Sequence, residues 1–157
     1  MAKKRVRRNS AFSLLELVIV VAIIAIIAAI GIPRMSRGTR GADDSALSGN
    51  LAVLRNAIDL YRAEHSLYPE VDKIADQLTK YTDSKGNVSD TKTTTCYFGP
   101  YIRKIPPLPV GAKKGNTGIA AADGDGVGWI YDASTGNITA NTSAGELDDA
   151  GKKYSDY

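Results

Sequence analysis

The sequence holds one cysteine and one histidine among its 157 residues. A lone Cys96 excludes an intrachain disulfide. Cys96 with His65 alone excludes a zinc site of the usual four-ligand His/Cys kind. A basic folded face is missing as well. Five of the 20 basic side chains fall before residue 9, which leaves 15 basic against 17 acidic ones beyond it. That near-neutral balance excludes the electrostatic footprint of a nucleic-acid partner. No nucleophile, base and acid stand together in a recognisable pattern, so no catalytic role is expected. The length allows one domain and no second catalytic unit.

What is there is one long apolar block. Between Leu14 and Ile32 every residue except Glu16 is apolar or Gly. The remainder is polar, rich in Gly, Asp, Thr and Lys, and can bury only a small core. Residues 12–32 number 21, and as a helix they reach about 32 Å, against a bilayer hydrocarbon core of about 30 Å. Ala, Leu, Ile and Val fill all sides, and a helix apolar all round belongs in a membrane or a filament core. Lys3, Lys4, Arg5, Arg7 and Arg8 precede it. They predict a cytoplasmic leader and an exported remainder, a contrast that Arg34, Arg37 and Arg40 weaken without reversing. A secretory signal peptide has a shorter apolar region of about 7–15 residues and a small-residue cleavage site. The Arg7-Arg8 pair would fit a twin-arginine signal, but such pairs are common in basic leaders. A plain membrane anchor fits the length and leaves Glu16 unexplained.

A carboxylate inside a membrane segment costs of order 2.5–3.5 kcal/mol, so a positive partner is expected. The neighbouring sequence offers none: Arg8 lies eight residues upstream and Arg34 eighteen downstream. Cleavage after Ala11 would create one. The new α-amine at Phe12 would stand four residues from Glu16, about one helical turn, in its own chain or in a neighbour shifted along the axis.

The run Ala11-Phe12-Ser13-Leu14-Leu15-Glu16, after a short basic leader and before a long apolar stretch, resembles the type IV prepilin cleavage and methylation motif. The resemblance implies cleavage between Ala11 and Phe12 by a prepilin peptidase and N-methylation of Phe12. It makes Glu16 the residue that guides subunits into a homo-oligomeric filament, and Pro33 matches the family's helix-disrupting proline. The family usually has Gly where this chain has Ala11, and often Gly at the position of Ala25. The implied fold is α+β and pilin-like, a long N-terminal helix, first transmembrane and then amphipathic, packed on a small antiparallel sheet.

Beyond the apolar block, Gly31 and Pro33 predict a kink or a melted turn. Asp43 and Asp44 read as an N-terminal cap for renewed helix. Leu47, Leu51, Leu54, Ile58 and Tyr61 then form one apolar stripe. His65 reads as a solvated residue at the helix end, and Tyr68-Pro69 as a break. Val71, Ile74, Leu78 and Tyr81 suggest a short second helix, residues 83–95 a polar loop, and residues 96–102 a short strand interrupted by Gly-Pro. Pro106, Pro107 and Pro109 exclude regular structure. Residues 128–131 and 137–139 flank Asp-Ala-Ser-Thr-Gly and predict a β-hairpin. After Asn141 the chain reads as a loose polar tail. The expected organisation is a leader at 1–11, a transmembrane or filament-core helix at 12–33, its amphipathic continuation at 34–65, a small globular domain at 66–140 and a tail at 141–157.

Two further segments narrow the resemblance. Residues 60–69, ending in Leu67-Tyr68-Pro69, and residues 98–106, containing Phe98-Gly99-Pro100-Tyr101, look like the major pseudopilins of type II secretion systems. The Trp-Gly usual after the second segment is replaced by Leu108-Pro109-Val110-Gly111. This likeness implies a subunit of a secretion pseudopilus, anchored by a single pass in the inner membrane, with the globular part periplasmic or extracellular. An inner-membrane assembly platform and minor pseudopilins would be its partners. A surface pilus for adhesion, motility or DNA uptake is the alternative, and an anchored module that never polymerises is another. Major pseudopilins are also known for a calcium site in the carboxyl-terminal loops. Asp123 and Asp125, in Ala-Asp-Gly-Asp-Gly, are the candidate ligands, with Asp132 as a third; a solvated Asp-Gly turn is the other reading.

Overall fold

The apolar stripe is the face on which the fold is built. A computed structural model describes residues 13–157, and of residues 30–40 the backbone alone. Helix α1 (Leu14–His65) carries Leu47, Leu51, Leu54, Ile58 and Tyr61, none more than 3% exposed. Val53 and Leu60, on the same helix but off the stripe, are 49% and 47% exposed. The helix thus buries one side only, as its spacing of four, three, four and three requires. It ends where Ser66 turns into the left-handed region at φ 60° and its N–H closes on the Arg62 carbonyl at 2.8 Å. The stop therefore precedes Tyr68-Pro69 by two residues.

Two units make up the chain, Met1–Thr39 and Arg40–Tyr157. In the first, α1 is helical through Pro33, so the segment around Gly31 is not melted. In the second, Asp43 and Asp44 lie inside α1 and are not a cap. The ladder of the continuing helix already satisfies the neighbouring N–H groups, which frees both carboxylates for tertiary bonds. Asp44 accepts from the Tyr154 hydroxyl at 2.9 Å, and Asp43 pairs with Lys114 Nζ at 2.5 Å.

Helix α2 (Ile74–Thr79) is shorter than the pattern suggests, because Tyr81 belongs to a strand. Strands β1 (Tyr81–Thr82) and β2 (Val88–Ser89) pair antiparallel inside the stretch expected to be loop. Asp83 closes that turn, its Oδ1 accepting the N–H groups of Lys85 and Asn87 at 2.8 and 2.9 Å. Phe98 adds a single bridge to Thr82, which is all that forms of the strand expected at 96–102. Gln77, fully buried in α2, accepts the Glu70 N–H at 2.8 Å and donates to the Gly86 carbonyl at 3.0 Å, so its burial is satisfied.

The expected hairpin is present as β4 (Val127–Asp132) and β5 (Asn137–Ala140), antiparallel from Trp129↔Ala140 to Asp132↔Asn137. Gly136 sits in its turn at φ 76°, where a Cβ would come within 2.1 Å of the Tyr68 ring. A third strand, β3 (Gly118–Ala120), joins β4 in parallel and was not foreseen. Trp129, Tyr131 and Ile138 project from this sheet into the core with Leu108 and meet the α1 stripe there, each at most 1% exposed. The Trp129 indole N–H donates to the Pro106 carbonyl at 2.9 Å, and the Tyr131 hydroxyl to the Pro69 carbonyl at 3.1 Å.

The residues after Asn141 are not loose. Tyr154 opens a short 3-10 helix (Tyr154–Asp156) and is 9% exposed against the core. Arg55 of α1 donates to the Ile138 carbonyl at 3.2 Å and to the Tyr157 main-chain oxygen at 2.5 Å. The docking rests on hydrogen bonds from polar side chains, which a search for apolar periodicity passes over. Deleting core volume is the direct test of the stripe. Leu54→Ala should lower unfolding free energy by about 2–5 kcal/mol, read from the fluorescence of Trp129 in a urea titration. Leu60→Ala, on the exposed side, should change it by less than about 0.5 kcal/mol.

Candidate functional site

The amino-terminal unit presents an apolar surface with one charge in it. The Leu17 N–H closes the first helical turn on the Ser13 carbonyl at 3.1 Å. Glu16 lies in that turn, where the positive end of the helix dipole favours a carboxylate. Between residues 14 and 27 every large aliphatic side chain is exposed, from 45% at Val20 to 81% at Leu14. An isolated water-soluble chain rarely exposes more than a few hundred Å² of contiguous apolar surface, so this helix needs lipid or other copies around it. Among the described residues no helix is long and apolar enough to cross a membrane. Described side chains of the apolar block stop at Ala29, and residues 12 and 30–32 of the expected span lie beyond them. Ala11 and Phe12, the expected cleavage and methylation residues, lie outside the described residues.

At the carboxyl end of α1 the structure gathers the aromatic residues of the two pseudopilin-like segments. His65 stacks on Tyr61 with ring centroids 3.9 Å apart and lies 4.9 Å from Phe98. Its ring nitrogens face the Tyr61 carbonyl at 3.0 Å and the Asp83 carbonyl at 2.9 Å. It is a half-buried joint between α1 and the β1–β2 turn, and not the solvated terminus that its position suggested. The Tyr101 hydroxyl donates to Glu64 at 2.5 Å, and burial first and then this bond hold its proton well above the ordinary tyrosine range. Gly99-Pro100 is a cis peptide, and the Tyr101 and Ile102 N–H groups both close on the Leu78 carbonyl. These groups join elements of the fold. Cys96 is half-buried, 3.9 Å from the Asn87 carbonyl.

The carboxyl-terminal loops do not offer a hard cation what it needs. Calcium takes six to eight oxygen ligands. Asp123 Oδ1 instead accepts from the Lys113 ammonium and from Asn141 Nδ2, the latter at 2.9 Å. The same amide nitrogen donates to the Val127 carbonyl at 2.8 Å. Lys113 and then Asn141 hold the Asp123 carboxyl below the usual aspartate range. Asp125 is exposed. Asp132 serves its own turn, accepting from the Ser134 N–H and hydroxyl and from Thr135. Among the described residues no group of three or more His, Cys, Asp or Glu side chains could hold a metal ion. The residues present therefore do not fit calcium.

Glu146 is a structural carboxylate that sequence reasoning missed. It accepts the Ser143 N–H at 2.7 Å and the Ala112 N–H at 2.5 Å, tying the 111–115 turn to the tail. A cleft of about 350 Å³ lies beside it, lined by Asp43, Pro109, Lys114, Leu147 and Tyr154 among others. No signal in the sequence distinguishes Glu146 from other surface acids, because its partners are main-chain N–H groups.

Comparison with known proteins finds one family model at the amino terminus and relatives that cover about two thirds of the chain. Residues 6–32 match the family model described as the prokaryotic N-terminal methylation motif. The chain is 31% identical over 109 residues to the type II secretion system core protein G of Vibrio cholerae, covering 69% of this chain and 70% of that one. It is 28% identical over 105 residues to the Aeromonas hydrophila protein of that name, covering 67% and 70%. For the Klebsiella pneumoniae protein the figures are 25% over 107 residues, covering 68% and 73%. No solved structure matches the chain.

The Glu146 bonds set a pH dependence. The Ser143 N–H first, with that of Ala112, depresses its folded pKa below the ordinary 4.5. The stabilisation is therefore present above the unfolded value and lost as pH falls through the folded one. Glu146→Gln should lower the melting temperature at pH 7 and flatten part of its fall between about pH 5 and pH 3. Thermal melts across that range measure both effects. Asp83, Asp132 and Asp148, depressed in the same direction, keep the rest of the acid limb.

Proposed function

Because this chain belongs to the family of type II secretion core protein G, the major pseudopilins, we propose how its own residues carry it from membrane precursor to filament subunit. The protein is a structural subunit of the type II secretion pseudopilus. The precursor enters the inner membrane with residues 1–11 in the cytoplasm and the 40–157 unit on the far side. The 12–33 segment spans the bilayer once. A prepilin peptidase cuts between Ala11 and Phe12, and Phe12 is N-methylated. Its partners are further copies of itself, the assembly platform and the minor pseudopilins. It performs no catalysis of its own.

The observation that carries this reading is Glu16, a lone carboxylate on an otherwise apolar helix surface whose large side chains are all exposed. Moving that surface from lipid into a bundle of like helices exchanges one apolar surrounding for another, so burial alone gives little net gain. Packing and the charged pair then decide the register. The amine created at Phe12 would stand four residues from Glu16 in the sequence, and a neighbour's amine could reach the carboxylate after a small axial shift. Leaving the carboxylate unpaired costs of order 2.5–3.5 kcal/mol at membrane depth, enough to select the paired arrangement among otherwise similar packings.

Mass spectrometry of the membrane-extracted protein should give an amino terminus at methylated Phe12. A terminus at Met1 or Ala2 would instead mark a plain anchor. Glu16→Leu should leave membrane fractionation unchanged and abolish fibres when the protein is overproduced with its secretion apparatus and viewed by electron microscopy. Normal fibres from that variant would refute the charge-pair mechanism.

A further inference from the structure

The misfit between the carboxyl-terminal loops and calcium has a specific cause. Residues 111–115 form a tight turn, closed by the Gly115 N–H on the Leu108 carbonyl at 2.8 Å and the Asn116 N–H on the Lys113 carbonyl at 3.1 Å. The turn sends two adjacent lysines to two different acids. Lys114 reaches Asp43 of α1, and Lys113 reaches Asp123 in the loop between β3 and β4. The Lys113 side chain is 29% exposed although it ends in a charge, so its stem is laid along the protein. Asn141, 6% exposed, donates its amide nitrogen to the same Asp123 oxygen.

Both groups around Asp123 are therefore donors. A metal ion would need acceptors in those places, and the ammonium would repel it. We propose that the Lys113 ammonium is the resident cation of this loop and that the carboxyl-terminal region of this pseudopilin folds and persists without calcium. The contrast rests on the family assignment, in which a calcium site is expected here, but the geometry belongs to this chain. The arrangement has a functional consequence. A subunit whose loop cation is covalently attached holds its shape in surroundings where free divalent ions are scarce or chelated. An ammonium on a flexible stem supplies a point charge with three donors, which suffices for one carboxylate oxygen and organises no larger ligand shell.

The test uses the full-length protein in detergent micelles, with Trp129 emission reporting unfolding. The melting temperature should differ by less than about 1 °C between excess EGTA and millimolar calcium chloride, where a native-state ligand would raise it with concentration. Lys113→Met should lower it by a few degrees in both buffers, and Lys113→Arg should restore most of the loss. Asp123→Asn, which keeps an oxygen for Asn141, should cause a similar loss. The double variant should lose no more than either single one, as expected of two partners in one interaction. A wild-type melting temperature that climbs with calcium would overturn the proposal. So would losses at Lys113 and Asp123 that simply add. Should Lys113→Met fail to fold, the wild-type calcium titration still decides. The terminus at Phe12 is read by mass and is unaffected by any of these results, so failure here leaves the filament reading standing.

Discussion

Packing between one face of α1 and the aromatic side chains of the sheet is the interaction on which the 40–157 unit depends. Leu47, Leu51, Leu54, Ile58 and Tyr61 meet Trp129, Tyr131, Ile138 and Leu108 in one cluster. The strands that supply Trp129, Tyr131 and Ile138 are six and four residues long and could not stand alone. The helix gives them a surface, and they give it a reason to be amphipathic. The polar bonds are arranged around that seam: Trp129 to Pro106, Tyr131 to Pro69, Gln77 to Gly86. Each satisfies a group that the packing had removed from water, so the seam carries no polar penalty at these points.

Features with a period or a composition of their own were legible in advance. The α1 stripe, the block from Leu14 to Ile32 and the 128–139 hairpin follow from patterns a short window can hold, whereas the pilin-like fold was implied by the family resemblance. The docked tail, strand β3 and the β1–β2 pair were not legible, for a common reason. They are two or three residues long, or are held by polar groups whose partners lie far away in sequence. Tyr154 finds Asp44 across 110 positions and Arg55 finds Tyr157 across 102. Asp43 and Asp44 show the same effect from the other side. Locally they look like a helix cap, and only the tertiary fold turns them into anchors for Lys114 and Tyr154. Of the candidate site, Glu16 stood out because its surroundings make it anomalous, and Glu146 did not because nothing around it does.

The chain treats its carboxylates in two ways. Asp83, Asp132 and Asp148 accept from N–H or hydroxyl groups close by in sequence, Glu146 from main-chain N–H groups of two loops, and Asp123 from an ammonium. They are settled within one molecule. Glu16 lies on an apolar helix, and its proposed counter-charge is made by processing. The settled acids shape a domain, whereas the unsettled one would bind a neighbour. Keeping the two kinds in separate units lets the folded part mature without waiting for assembly.

Arg55 reads only main-chain oxygens, those of Ile138 and Tyr157. Side-chain identity at either acceptor is therefore invisible to the guanidinium, although Ile138 is fixed separately by its place in the core. The guanidinium itself has no such latitude. On the acceptor side, what each side chain packs against limits change and the contact itself does not; on the donor side the contact depends on the guanidinium alone.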